Sequence, residues 1–255
     1  MRALLIALVA CYAVSGCVHA PVRIEAPAAA APPDWEDRPS GIAVGPLDAA
    51  QPFSAAWFPR DAARIDAFER ADASGTTLAE RRITPASPDR ATLEIKDIAS
   101  GETLVQTHLV LAEDGSWRIE RSRASGIEST FDPPALFLPA AATPGEPIAE
   151  PFEVRSSGRG IPNNPGAGTA TVTAVGAQSV QTPAGPIDAY ALDIELRFAI
   201  GPAKMRFDQR VWVDAGPTRL GVVASEQHDT VRVFGITFLN ARTVSVLSEP
   251  GAAHD

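Results

Sequence analysis

The chain has 255 residues, of which 45% are hydrophobic and 21% charged, and its net charge is -9 at pH 7. This length and composition are typical of one sizeable domain, or two small ones, with a buried core. The acidic excess argues against nucleic acid as a partner, because sequence-independent binding to phosphates requires lysine and arginine.

Residues 1–16 have the pattern of a signal peptide. Arg2 supplies a positive charge, and an unbroken apolar run extends from Ala3 to Ala13. The run has the length of a signal-peptide core and is too short to span a bilayer as a helix. We therefore expect the chain to be exported.

The motif Val14-Ser15-Gly16-Cys17 follows this run directly. It resembles the lipobox of bacterial lipoproteins, in which the cysteine receives a diacylglyceryl group and cleavage precedes it. The resemblance implies cleavage between Gly16 and Cys17, and acyl chains such as palmitate on Cys17 that hold the protein on a membrane. Two alternatives stay open: cleavage at Val18-His19-Ala20, which would release the protein, or retention of the uncleaved run.

Val18 follows the cysteine at the position where inner-membrane retention signals of lipoproteins place an aspartate. By this resemblance, we expect an outer-membrane location facing the periplasm rather than the inner membrane. Cys11 and Cys17 are the two cysteines of the chain, so the later residues can form neither a disulfide nor a cysteine-ligated metal site.

Seven prolines lie between residues 18 and 52. Residues 17–52 are therefore interpreted as a lipid-anchored tether. Proline-rich chain is extended, at about 3.1 Å per residue, so about twenty residues of it would hold the domain up to roughly 60 Å from the lipid. Residues 53–249 are interpreted as one antiparallel β domain, and residues 250–255 as a disordered tail.

Residues 53–72 fit two descriptions. One is a helix with a stripe of Phe58, Ala62, Ile65 and Phe68 or Glu69, and the other is a strand with Ala63, Ile65, Ala67 and Ala71 on one face. A short helix or turn near Asp61 followed by a strand is favoured. After Gly75 polar and apolar residues alternate, which predicts short antiparallel strands with one buried and one wet face. The predicted strands are 77–84, 91–98, 103–112, 116–123, 168–177, 187–200, 203–213, 220–229 and 231–247.

The predicted fold class is therefore all-β, an antiparallel meander that forms a strongly curved sheet. The pattern is compatible with two architectures, an open barrel and a sandwich. The proline-rich stretch from Asp132 to Pro151 is predicted to be a crossover loop. The glycine- and asparagine-rich stretch from Ser156 to Gly168 is interpreted as a flexible connector, with a binding loop as the alternative.

Four residues are assigned to structural turns: Pro183, Gly185, Gly201 and Pro202. For the second turn, charge pairing favours a four-residue loop from Gly201 to Lys204. That register places Phe198 opposite Phe207, Arg197 opposite Asp208, and Glu195 opposite Arg210.

The stretch from Thr182 to Tyr190 contains Pro183-Ala184-Gly185 followed two residues later by Asp188-Ala189. It resembles a hairpin of exported bacterial β-domain proteins from uncharacterised families. A tryptophan-ending strand and a glycine turn follow there, as Trp212 to Gly216 do here. The resemblance covers the second half of the chain and implies a fold, not an activity.

No pattern predicts catalytic, cofactor-binding or metal-binding residues. Two histidines, His108 and His228, belong to the domain, and they lack metal-ligand spacing. Two carboxylate pairs, Glu226 with Asp229 and Asp193 with Glu195, are more typical of a solvated face than of a substrate site. The four tryptophans are interpreted as packing residues, with a ligand groove as the alternative: Trp35, Trp57, Trp117 and Trp212.

We expect a lipid-anchored envelope protein with a non-catalytic binding or structural role, whose partner is an envelope protein. The alternative is a carrier of an apolar or lipid ligand in the concavity of the sheet. A cavity of about 300 Å³ or more favours the carrier, and a filled interior argues against it. The carrier hypothesis rests on large residues expected to point inward: Tyr190, Leu192, Leu196, Phe198, Phe207 and Phe234.

Overall fold

The computed structural model describes residues 36–37, 42–46, 53–55, 58, 63–73, 75–124, 126–158, 161–216, 221–249 and 253–254. These residues form β-structure throughout, as the alternating pattern predicted. No helix among them is long and apolar enough to cross a membrane. The predicted signal peptide and Cys17 lie outside the described residues.

The strands follow one another along the chain with short connections. Their bounds are β1 (Glu36–Asp37), β2 (Ala43–Pro46), β3 (Phe53–Ser54), β4 (Ala63–Asp72), β5 (Gly75–Ser87), β6 (Arg90–Asp97), β7 (Thr103–Leu111), β8 (Trp117–Ala124), β9 (Ile127–Leu138), β10 (Ala141–Ala142), β11 (Pro147–Gly158), β12 (Ile161–Thr182), β13 (Gly185–Ile200), β14 (Ala203–Asp214), β15 (Val222–Val233), β16 (Ile236–Glu249) and β17 (Ala253–His254).

Twelve of these strands form a closed antiparallel barrel. The order is β12-β11-β9-β8-β7-β6-β5-β4-β16-β15-β14-β13, and β13 pairs with β12 again. Strand β12 therefore joins the two edges of the meander, since Ala170 pairs with both Glu150 of β11 and Leu196 of β13. Closure leaves neither edge of the long sheet unpaired along this seam.

An aromatic row crosses the seam on the inner side of the barrel. Ring centroids are 5.3 Å apart for Phe131 and Phe152, 6.0 Å for Phe152 and Phe198, and 5.6 Å for Phe198 and Phe207. Gly168 stands between the second and third rings, where a Cβ atom would lie 2.4 Å from the Arg197 carbonyl oxygen and 2.8 Å from the Phe152 ring. Glycine is required there because no larger residue fits.

The barrel has two unlike ends. At the plugged end, β3 pairs with β10, and Phe58 packs with Trp117 at a centroid distance of 5.5 Å. Phe53 meets Tyr190 at 5.6 Å, and all four aromatic side chains are buried. The open end carries the other set of turns, including Ser100-Gly101, Gly201-Pro202 and Phe234-Gly235.

A second apolar cluster lies on the outer side of the barrel wall near the plugged end. Trp212, Ala224 and Val246 are neighbours on β14, β15 and β16, and each is buried. Ile42 and Val44 of the N-terminal segment pack into the same cluster. Residues 43–46, assigned above to the tether, thus form β2 on β12, and Ala253–His254 pairs with β4 as β17.

The predicted register of the β13–β14 hairpin is wrong. Ile200 pairs with Ala203, so the loop has two residues, and Phe198 faces Met205. Gly201 has φ +56°, which suits the first position of a two-residue turn whose twist matches the strands. Charge pairing did not decide the register, because Arg206 reaches Glu195 diagonally at 2.8 Å.

Two predicted loops are also wrong. Strand β9 continues through Asp132 and the cis Asp132-Pro133 bond to Leu138, and β11 begins at Pro147. Between Ser156 and Gly168, the described residues belong to β11 and β12. Residues 63–72 form a strand. One face buries Arg64, Asp66 and Phe68, whereas on the other face Ala71 is buried and Ala63 and Ala67 are half-buried. The proposed turn near Asp61 lies outside the described residues.

We predict that Gly168→Ala lowers the free energy of unfolding by about 1–3 kcal/mol, because the added methyl group displaces backbone at the seam. Chemical denaturation measures the change. Thr169→Ala is the matched control, since Thr169 is the exposed neighbour on the outer face. Equal stability of the two variants would contradict the role given to Gly168.

Candidate functional site: the barrel lumen

The interior of the barrel is not completely filled. A cavity of about 480 Å³ lies inside the wall, among side chains of β4 to β9 and β13 to β16. It extends to the open end, where Leu104, Ala124 and Ile127 line it beside the turns, and Ala124 is exposed. The volume is within the range of about 300–1,000 Å³ that small-molecule sites occupy.

One wall of this cavity is mainly apolar. Strands β6 to β9 supply mostly aliphatic and aromatic side chains, together with the hydroxyl groups of Thr107, Ser122 and Ser129. Strands β13 and β14 continue the surface with part of the aromatic row. The predicted inward residues Leu196, Phe198 and Phe207 all line the cavity. The apolar wall is formed chiefly by Leu93, Ile95, Val105, Leu109, Ile119, Phe131, Phe137, Ile194, Leu196, Phe198, Phe207 and Val211.

The facing wall is polar, although it belongs to the same barrel interior. It runs across β14, β15, β16 and β4, where inward positions carry amides, hydroxyl groups and charges in place of hydrocarbon. Its members are Arg70, Gln209, Ser225, Gln227, Asp229, Thr243 and Ser245. The lumen therefore presents apolar and hydrogen-bonding surfaces to the same space, which suits an amphiphilic ligand.

Asp229 is the carboxylate on the polar wall. Its two oxygens accept hydrogen bonds from Gln227 Nε2 at 2.8 and 3.0 Å. Burial raises the pKa of Asp229 to about 6, against the opposing effect of the Gln227 hydrogen bond and of the nearby cations His228 and Arg70. Phe207 faces Asp229 across the β14–β15 ladder, on the same inner side.

Each arginine that lines the cavity binds a carboxylate of the protein, and Arg81 shares its carboxylate with Arg64. Arg70 binds Asp72 at 2.9 Å. Deeper in the barrel, Asp66 binds Arg64 at 2.8 Å and Arg81 at 2.7 Å. Arg81 also donates to the Val222 carbonyl oxygen and lies 4.5 Å from the centroid of the Phe68 ring, and burial lowers its pKa.

The two carboxylate pairs considered in the sequence are arranged differently. Glu226 and Asp229 lie on opposite faces of β15, and Glu226 binds Arg242 on the outside. Asp193 and Glu195 share the outer face, where Arg210 binds Asp193 at 2.5 Å and Arg206 binds Glu195 at 2.8 Å. These outer charges compensate one another, as a solvated surface network does.

His108, His228, Trp117 and Trp212 do not line the cavity. His108 contacts Thr92 and Arg121, and burial together with Arg121 lowers its pKa. His228 contacts Asn240. Trp117 belongs to the plug, and Trp212 donates to Gln178 Oε1 at 2.8 Å on the outer side. Trp35 and Trp57 lie outside the described residues, which contain no metal-ligand cluster.

The residues assigned to turns lie at the two ends of β13. Pro183 occupies the turn at the plugged end, and Gly185 follows it with φ +111°. Gly201 and Pro202 form the turn at the open end. Phe234 was expected to point inward, but it lies in the β15–β16 turn with φ +51° and is 69% exposed.

Solved structures with some similarity to this barrel come from bacteria. An exported protein of Bacteroides fragilis with a YmcC-like fold is 18% identical, with a TM-score of 0.47, over 76% of this chain and 98% of that one. A Parabacteroides distasonis lipoprotein is 12% identical (TM-score 0.47, 76% and 97% covered). The hypothetical lipoprotein YmcC of Escherichia coli is 6% identical (TM-score 0.41, 74% and 88% covered).

No protein-family model matches the chain, and no curated protein matches it by sequence. The identities and TM-scores above are low, so the function is argued below from this chain's own residues.

Asp229 was weighed in the sequence only as half of a carboxylate pair. Along β15 both faces carry polar residues, so alternation does not reveal which face is inside. In β16 the usual rule is reversed, because Thr243 and Ser245 line the lumen while Val244 and Val246 face outward into the second cluster. That reversal is the sequence signal for a polar lumen, once the outer cluster is known.

We predict that Asp229→Asn raises the free energy of unfolding at pH 8 by about 2–3 kcal/mol. The wild-type carboxyl has a pKa above its unfolded value, so folding favours its protonated form and stability falls as the pH rises through about 6. Denaturation at pH 4 and pH 8 measures the difference, which should vanish at the lower pH. Asp208→Asn, on the outer face of β14, should give no such gain.

Proposed function

We propose that this protein is a lipid-anchored envelope protein that binds an amphiphilic ligand in the lumen of its barrel and performs no catalysis on it. The observation that carries the ligand-binding part is the cavity of about 480 Å³ with one apolar and one polar wall. It exceeds the volume of about 300 Å³ that separates a carrier from a filled structural core.

The polar wall strengthens this proposal over a purely structural role. A barrel that only needs stability gains by filling its interior with hydrocarbon, since each buried CH₂ group contributes about 0.8 kcal/mol. Here Ser225 of β15 and Thr243 and Ser245 of β16 face the cavity. Val244 and Val246 of β16 face outward. Polar groups that line an internal space are the kind that fix the orientation of a ligand.

The proposed location at the outer membrane is supported by the sequence motif before the domain. Val14-Ser15-Gly16-Cys17 after an apolar run supports a diacylglyceryl group on Cys17, and Val18 supports an outer-membrane position facing the periplasm. Residues 18–35 then connect the anchor to β1. In this arrangement the membrane is a partner through the covalent lipid, and the barrel stands off from the bilayer.

We predict that Thr243→Phe abolishes or weakens ligand binding at least about tenfold, because the ring occupies the lumen. The probe is Nile red, a neutral dye whose fluorescence rises in apolar surroundings. The full chain is used with Cys17→Ser, so that the protein's own acyl chains cannot enter the cavity. Thr230→Phe is the matched control, since Thr230 lies on the adjacent strand and shares the outer face with His228.

Saturable dye binding that is lost in Thr243→Phe and kept in Thr230→Phe supports the lumen as the site. Equal binding by both variants would place the dye elsewhere and contradict the proposal. No saturable binding to the wild-type barrel by dye or amphiphile would leave the structural role as the better account.

We predict that the protein made in a bacterial host carries a lipid-sized mass increment and partitions into detergent. Both properties should disappear in Cys17→Ser, because only a thiol accepts the diacylglyceryl group. Intact mass and phase partitioning measure this, with Cys11→Ser as control. A wild-type protein that begins at Pro21 and stays in the aqueous phase would refute the anchor.

A further inference from the structure

The charged groups around the lumen do not balance in the same way. Arg70 and Arg81 each bind a carboxylate of the protein, Asp72 and Asp66 respectively. Asp229 binds only the neutral amide of Gln227, and no cation of the described residues forms an ion pair with it. The lumen therefore contains a carboxylate whose charge the barrel does not compensate by direct contact.

We propose that the lumen binds amphiphiles whose polar end is a protonated amine, with the ammonium group at Asp229. This inference rests on the proposed function and names the class of its ligand. A carboxylate inside a cavity of low polarity attracts a cation far more strongly than it would in water, and the cation offsets the cost of burying the charge.

The surroundings of Asp229 suit an ammonium group in a second way. Phe207 stands directly across the ladder from Asp229, and its ring is stacked on Phe198, with an angle of 18° between the ring planes. An aromatic ring beside a carboxylate is favourable for an ammonium ion that contacts the face of the ring, because the ring quadrupole attracts positive charge there. The alkyl part of the ligand then has the apolar wall of β6 to β9 to contact.

The other charged groups near Asp229 bind other partners in the protein. Arg70 faces the same lumen from β4, but Asp72 binds it. His228 and Asp208 lie on the outer face of the wall, where Asn240 contacts His228 and Arg206 binds Asp208 at 2.7 Å. The remaining partner is Gln227, whose Nε2 donates to both oxygens of the carboxylate.

Displacement of Nile red by three amphiphiles of equal chain length tests the inference on the full Cys17→Ser chain at pH 8. The probes are dodecylamine, dodecanol and dodecanoate. We expect dodecylamine to bind about tenfold more tightly than dodecanol, and dodecanoate to bind most weakly. Equal affinity of the amine and the alcohol, or tightest binding of the carboxylate, would overturn the inference and leave the proposed function intact.

Asp229→Asn separates the charge from the fold, because asparagine has the same shape and can still accept from Gln227. We expect the variant to bind dodecylamine and dodecanol with equal affinity. Asp208→Asn, one residue from Phe207 on the outer face, should keep the preference for the amine. Retention of that preference in Asp229→Asn would refute the assignment.

The pH dependence gives an independent readout. The affinity of the wild type for dodecylamine should fall as the pH decreases below about 6, because the carboxyl group becomes protonated. The affinity for dodecanol should not change over the same range, and Asp229→Asn should show no fall for either probe. If none of the probes displaces the dye and the dye itself does not bind, the proposed function fails as well.

Discussion

Closure of the sheet along β12 is the constraint on which the other features depend. Without it the lumen would be an open trough, and the two walls would not face each other. The pairing of β12 with both β11 and β13 brings Phe152 and Phe198 together across Gly168. The one residue type without a side chain is thus what lets large aromatic residues close the wall, and those residues in turn form part of the cavity surface.

Apolar residues are buried on both sides of the barrel wall. At the plugged end the interior is packed and apolar, while Trp212 and Val246 face outward and are covered by the cluster that contains Ile42 and Val44. This outer cluster contributes burial that a barrel normally finds inside. Because the outer side of β15 and β16 is buried in this cluster, their inner side can carry polar residues such as Ser225, Gln227 and Asp229.

The sequence was sufficient for the fold class and for most strands, because alternation over eight or more residues is a strong signal. The sequence was not sufficient for the register of the β13–β14 hairpin or for the inner face of β15. The β13–β14 register followed the turn at Gly201 rather than charge pairing, since arginine side chains reach diagonal partners. Asp229 was invisible as a lumen residue because its strand is polar on both faces, and only the ladder with Phe207 shows which face is inside.

The position of β2 determines at which end of the barrel the N-terminal segment leaves the domain. Val44 pairs with Val180, beside the plugged end, so the polypeptide that leads to the proposed anchor leaves the barrel there. The cavity extends to the opposite end of the barrel, beside Leu104 and Ala124. A ligand bound as proposed would then enter and leave at the end that the N-terminal segment does not occupy.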